Sequence, residues 1–147
     1  MALYFLSVDA VALSAATAKS VLELGTSSAV RIKVKEWWVD FDGVTSSAVP
    51  VKVETGRFSV AVTTATSASE KMDLADGTPA TTAKHTTTTE GAGTADDIMF
   101  HRISPTAGYH YIAPLGQELV LAVSTFWRMR LTAAATVNAT VGVIWEE

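Results

Sequence analysis

Two histidines, His101 and His110, are best placed by type and spacing to do chemistry. They flank the turn-forming run Ser104-Pro105-Thr106-Ala107-Gly108, inside the apolar segments Ile98 to Ile103 and Tyr109 to Ile112. If that run closes a regular hairpin, residues equidistant from its centre face one another, and the two imidazoles become cross-strand neighbours. A zinc site needs three or four such ligands, and no third His, Cys or Glu is placed with them. His85 lies in a Thr-rich stretch with no fixed relation to either. A cross-strand polar pair near the surface is therefore the favoured reading. A small metalloenzyme would need metal held through both His101 and His110.

Other catalytic patterns are equally thin. No Gly-x-Ser-x-Gly elbow and no phosphate-cradling glycine loop occurs, and no His-x-His cluster precedes a distant Glu as in a cupin. Asp96-Asp97 and Glu146-Glu147 are paired only by adjacency. Neighbours on a strand point to opposite faces, so they cannot flank one bond. These residues argue for a protein that is not an enzyme and uses no cofactor and no metal.

The aromatic residues carry the remaining chemical interest. Trp37 and Trp38 are adjacent, so on a strand one fills the core and the other faces solvent or a partner. Trp127 and Trp145 have core parity. With Tyr109 and Tyr111 they offer a sugar-stacking platform, although core packing is the commoner use of such residues. A formal net charge of −4 and a basic stripe, Arg31, Lys33 and Lys35, followed at once by Glu36, Asp40 and Asp42, argue against nucleic acid as a partner.

The elements that must position these residues are strands. Val30, Ile32 and Val34 alternate with Arg31, Lys33 and Lys35; after Glu36 the apolar parity passes to Trp37, Val39 and Phe41. A β-bulge near Lys35-Glu36 absorbs that slip, because one extra residue sends every later side chain to the other face. Asp42-Gly43 then turns the chain, and Val49, Val51 and Val53 resume the alternation, which predicts a long bent hairpin from Val30 to Val53.

Elsewhere Leu3 to Val8 reads as a first strand or an extended arm within residues 1–13, and Ser14 to Ser20 is Ala-rich enough for a helical turn. Val21, Leu22 and Leu24 make a strand. Residues 63–97 are a loop-rich insertion of Thr, Ser, Ala and Gly. Thr81 to Thr88 is expected there as an edge strand, and Glu90-Gly91-Ala92-Gly93-Thr94 as an exposed loop. Leu119, Leu121 and Val123, with Val120 and Ala122 between them, suggest a central strand covered on both faces. Phe126 to Leu131 places Trp127, Met129 and Leu131 inward and Arg128 and Arg130 outward.

In 147 residues, 48% hydrophobic and without cysteine, this predicts one all-β domain, a sandwich or barrel of about eight to ten short antiparallel strands needing no disulfide. No run is long enough to cross a bilayer as a helix, which argues against a membrane partner.

The runs Ser14-Ala-Ala-Thr-Ala-Lys-Ser-Val-Leu-Glu-Leu, Val30 to Gly43 with Val49-Pro-Val-Lys-Val-Glu, and the terminal Val137-Asn-Ala-Thr-Val-Gly-Val-Ile-Trp-Glu-Glu resemble small structural proteins of tailed phages. Ala80-Thr-Thr-Ala-Lys-His-Thr and Pro114-Leu-Gly-Gln-Glu-Leu-Val-Leu continue the likeness. The resemblance implies a jelly-roll head-decoration, or cement, protein. Such a protein would assemble as a homotrimer on the capsid exterior, bind the major capsid protein and stabilise the shell. Leu3, Tyr4, Phe5 and Leu6 of the arm, with Trp38, are the candidate partner contacts. The alternative is a carbohydrate- or receptor-binding module of a phage tail or surface appendage.

Overall fold

Period-two alternation is realised in the strand Ile32–Phe41 and in most of Val137–Glu146, whereas Ala18–Gly25 and Val51–Phe58 are buried on both faces over most of their length. The computed structural model of the chain describes residues 1–45, 48–63, 66–67, 69–91 and 95–147, among which there are twelve strands and no helix. They are β1 (Leu3–Leu13), β2 (Ala18–Gly25), β3 (Ile32–Phe41), β4 (Val51–Phe58), β5 (Thr66–Ser67), β6 (Glu70–Lys71), β7 (Thr82–His85), β8 (Ala95–Ile103), β9 (Gly108–Ile112), β10 (Leu119–Leu121), β11 (Phe126–Thr132) and β12 (Val137–Glu146).

The first sheet runs β10-β3-β12-β1-β6, with β9 also on β3; the second runs β5-β7-β2-β11-β4-β8. Counting β9 and β10 as one interrupted edge strand, the order is β1, β12, β3, β9/β10 against β2, β11, β4, β8. Successive principal strands mostly change sheets, which is the wiring of a jelly roll. All strand pairings are antiparallel. The all-β sandwich is thus as expected, with more strands because the 63–97 insertion supplies β5, β6 and β7 and the edge strand is split.

The inner faces close on a core that includes Trp37, Trp127 and Trp145, each 1% exposed or less, together with Leu22, Leu24, Met129, Leu131, Val141 and Val143. Ile144 lies opposite Glu36 while Trp145 lies opposite Val34, leaving Lys35 as the extra residue of β3. The bulge expected at Lys35-Glu36 is therefore present. It keeps Ile32 and Val34 on the core side together with Trp37 and Val39.

Several connections differ from expectation for one reason: alternation fixes which face a strand buries but not which strand it pairs with. The Val30 to Val53 run is no hairpin, since β3 pairs with β12, β9 and β10 while β4 pairs with β11 and β8 in the other sheet. The turn Ser104 to Gly108 likewise carries the chain between sheets. Residues 1–13 are not a free arm: β1 pairs with β12 along its length, except for a bulge between Val8 and Val11. Ser14 to Ser20 forms no helical turn, because Ala15 bridges Ala133 and β2 starts at Ala18. β10 is an edge strand, with Leu121 buried and Val120 43% exposed. β7 does lie near an edge, between β2 and β5. Of the loop expected at Glu90 to Thr94, residues 92–94 lie outside the described residues.

Arg128 was expected outward, and it does leave the core face, yet it is fully buried. The insertion is the reason. Segments around Val62 and Glu90 fold over the outer face of the second sheet: the Val62 N–H donates to Glu23 Oε2 at 2.8 Å, Glu90 accepts from the Ser20 N–H and hydroxyl, and Gly91 packs against the Arg128 guanidinium. Beneath this cover Arg128 Nε donates to Glu23 Oε2 at 2.7 Å and its guanidinium lies 4.6 Å from the centre of the Phe58 ring. The part of that outer face around Ser20, Glu23 and Arg128 is thus sealed by its own chain.

Candidate functional site

The outer face of the first sheet has no such cover among the described residues. Because Tyr4, Leu6, Trp37, Val39, Val143 and Trp145 point into the core, the residues between them point out. Cross-strand register then sets them in rows. Leu3, Glu146, Lys33 and Val120 form one row, Phe5, Ile144, Glu36 and Ile112 the next, and Ser7, Gly142, Trp38 and His110 the third. The apolar centre is Phe5, Ile144 and Trp38, with Leu3 (37% exposed) and Ile112 (60% exposed) at its rim.

Trp38 owes its pose to Gly142. A Cβ at that position would fall inside the indole ring, so only glycine lets the ring lie flat across β12 and cover the gap. The ring is half-buried and meets His110 edge-on at 6.0 Å between centroids.

The charges of this face are tied together. Lys35 Nζ, placed by the bulge, is 2.7 Å from Glu118 and 3.3 Å from Glu146, and Lys33 is 3.4 Å from Glu146. The bond from Lys35 holds the Glu118 carboxyl below its ordinary value, and Glu118 in turn raises the Lys35 amine. Burial pushes the Glu146 carboxyl upward, but Lys35 and Lys33 outweigh it and the net shift is downward. His110 Nε2 is 3.1 Å from Glu36 Oε2, and Asp40 is exposed beside Gly108. With Glu36, Asp40, Glu118 and Glu146 against Lys33 and Lys35, the face is acidic around an apolar middle.

The expected contacts therefore divide. Leu3, Phe5 and Trp38 share this one outer face. Tyr4 and Leu6 do not: each is 3% exposed, and Tyr4 stacks on Trp145 and donates its hydroxyl to the Gly77 carbonyl. Sequence reasoning missed Ile144 and Ile112; their parity was readable, but not the neighbours that register gives them.

The histidines are not brought together. His101 points between the sheets, its ring 4.7 Å from Tyr109 and 5.4 Å from Trp37, whereas His110 lies on the outer face. The hairpin pairing is thus corrected, and among the described residues no three His, Cys, Asp or Glu side chains form a metal-binding group. The sugar platform is also corrected. Trp127 and Trp145 have no accessible ring face, and Tyr109 and Tyr111 pack on buried Trp37.

Burial lowers the His101 pKa below its ordinary 6.5. The unfolded chain then takes up the proton first, so stability is full above about pH 6.5 and declines as pH falls from there toward the folded value. Glu54, Glu118 and Glu146 are shifted down from 4.5, so their contribution is lost only at lower pH, within the carboxylate range. Urea unfolding across pH should show two separate declines. His101→Phe should abolish the upper one; an unchanged upper decline in His101→Phe would remove the assignment.

Comparison of the chain with protein-family models, with curated proteins and with solved structures finds no match.

Proposed function

We propose that this chain is a structural, non-catalytic module that assembles with copies of itself and binds the outside of a phage capsid through the major capsid protein, stabilising the shell. The observation that carries this reading is the uncovered first-sheet face, where Leu3, Phe5, Ile144 and Trp38 collect on one sheet while the chain folds over part of its other outer face. An exposed apolar patch with an acidic rim is a protein-contact surface before it is anything else. The resemblance of the β3 and β12 sequences to tailed-phage structural proteins supplies the partner.

Co-sedimentation with purified capsids of the encoding virus tests it. The chain should pellet with the shells and raise their dissociation temperature. Absence of binding, joined to glycan-array binding that disappears in Trp38→Ala, would transfer the function to the carbohydrate-binding reading. For that reading, the shallow pocket formed by Trp38, Asp40, Gly108, Tyr109 and His110 is the site.

A further inference from the structure

The second sheet has an outer patch that mirrors the acidic face in charge. β4 and β8 lie at its edge, beyond the cover formed by the insertion, and their register sets Glu54 opposite Phe100 and Lys52 opposite Arg102. Val51 and Val53 fill the core, so Lys52, Glu54, Phe100 and Arg102 point outward. Phe100 is 60% exposed, with the Lys52 amine 5.0 Å from its ring centre. Arg130, opposite Glu54 on β11, donates to that carboxylate at 3.2 Å. Lys52 (3.0 Å) and Arg130 both pair with Glu54, and Arg102 stands beside them, so among the described residues this patch sets three bases against one acid. One chain therefore carries an aromatic knob ringed by bases on one sheet and an apolar seat ringed by acids on the other.

We propose that the Phe100 patch of one copy docks on the Trp38 face of a second copy. The occupant is chosen by complementarity. Phe100 meets Trp38, Ile144 and Phe5, while Lys52 and Arg102 meet Glu36 and Asp40, where like charges would repel. The two patches are different surfaces, so the contact is head-to-tail and a docked pair keeps one free patch of each kind, a seat on one copy and a knob on the other. Such contacts close into rings or continue as fibres. This inference rests on the reading of the first-sheet face as a contact surface and names what covers it.

A complementation experiment on the purified chain, without capsids, tests it. The wild type at about 100 μM should sediment as an oligomer of the 15.5 kDa protomer, weakening as salt is raised. Phe100→Glu spoils only the knob, and Trp38→Ser or the exposed-site variant Asp40→Lys spoils only the seat. Each should be monomeric alone with an unchanged circular-dichroism spectrum. Mixed, Phe100→Glu and Asp40→Lys should form one-to-one dimers and nothing larger, because a single intact knob and a single intact seat remain between them.

A wild-type chain that stays a single protomer, or an oligomer indifferent to these substitutions, overturns the proposal. So does a mixture that remains monomeric. Capsid binding by a chain that does not self-associate would sink this contact while leaving the shell function standing; ring formation without capsid binding would do the reverse.

Discussion

Glu23→Ala should be among the most damaging single substitutions in the chain, lowering the unfolding free energy by about 3–5 kcal/mol. Arg128 is fully buried, and Glu23 Oε2 accepts from it and from the Val62 N–H. Removing the carboxylate leaves a guanidinium away from water without its charge partner, and a backbone donor without its acceptor. Lys84 adds a second cation, 3.5 Å from Glu23 Oε1. The loss is not the worth of the pair. Two ions taken out of water give back in desolvation much of what they gain in attraction, so the double variant Glu23→Leu, Arg128→Met should recover most of the stability. Urea unfolding of the wild type, both single variants and the double variant measures this. A Glu23→Ala cost below about 1 kcal/mol would mean that water reaches Arg128 and that the insertion does not seal this face.

The two neighbouring tryptophans should respond in opposite ways. Trp37 is 1% exposed and packs against Tyr111, Tyr109 and His101, so Trp37→Ala opens a core cavity and should cost about 3–5 kcal/mol. Trp38 lies on the far side of the same strand, over Gly142, and water can replace part of what it covers. Trp38→Ala should cost about 1 kcal/mol or less and should chiefly weaken self-association. Thermal unfolding at low protein concentration, paired with sedimentation at high concentration, separates the two effects. Equal destabilisation by both substitutions would show that the Trp38 ring belongs to the core, and the contact face would lose its centre.

The contrast between those residues was legible in the sequence, because adjacent side chains on a strand oppose each other whatever the strand pairs with. The Lys35 bulge was legible for the same reason: the shift of apolar parity after Glu36 has no other economical explanation. The Glu23–Arg128 pair was not. Glu23 sits between Leu22 and Leu24 and Arg128 between Trp127 and Met129, and both have ordinary outward parity. Only the insertion, returning over the sheet from far along the chain, turns that outward side into an interior. A lone acid and a lone base centred in two apolar strands was the available signal.

What the sequence determined by itself is local: most of the strands, their inward and outward sides where apolar and polar residues alternate, the all-β sandwich, and Trp38 as an apolar residue turned away from the core. Tertiary structure alone decided which strands pair. It placed β3 beside β12 and not β4, and it separated His101 from His110. It also sank Tyr4 and Leu6 into the core and gathered Phe5, Ile144 and Trp38 into one patch. The physical reason is that period-two alternation records only whether a side chain meets water. Pairing and register depend on hydrogen bonds and packing between segments up to the full chain length apart, as when β1 closes against β12.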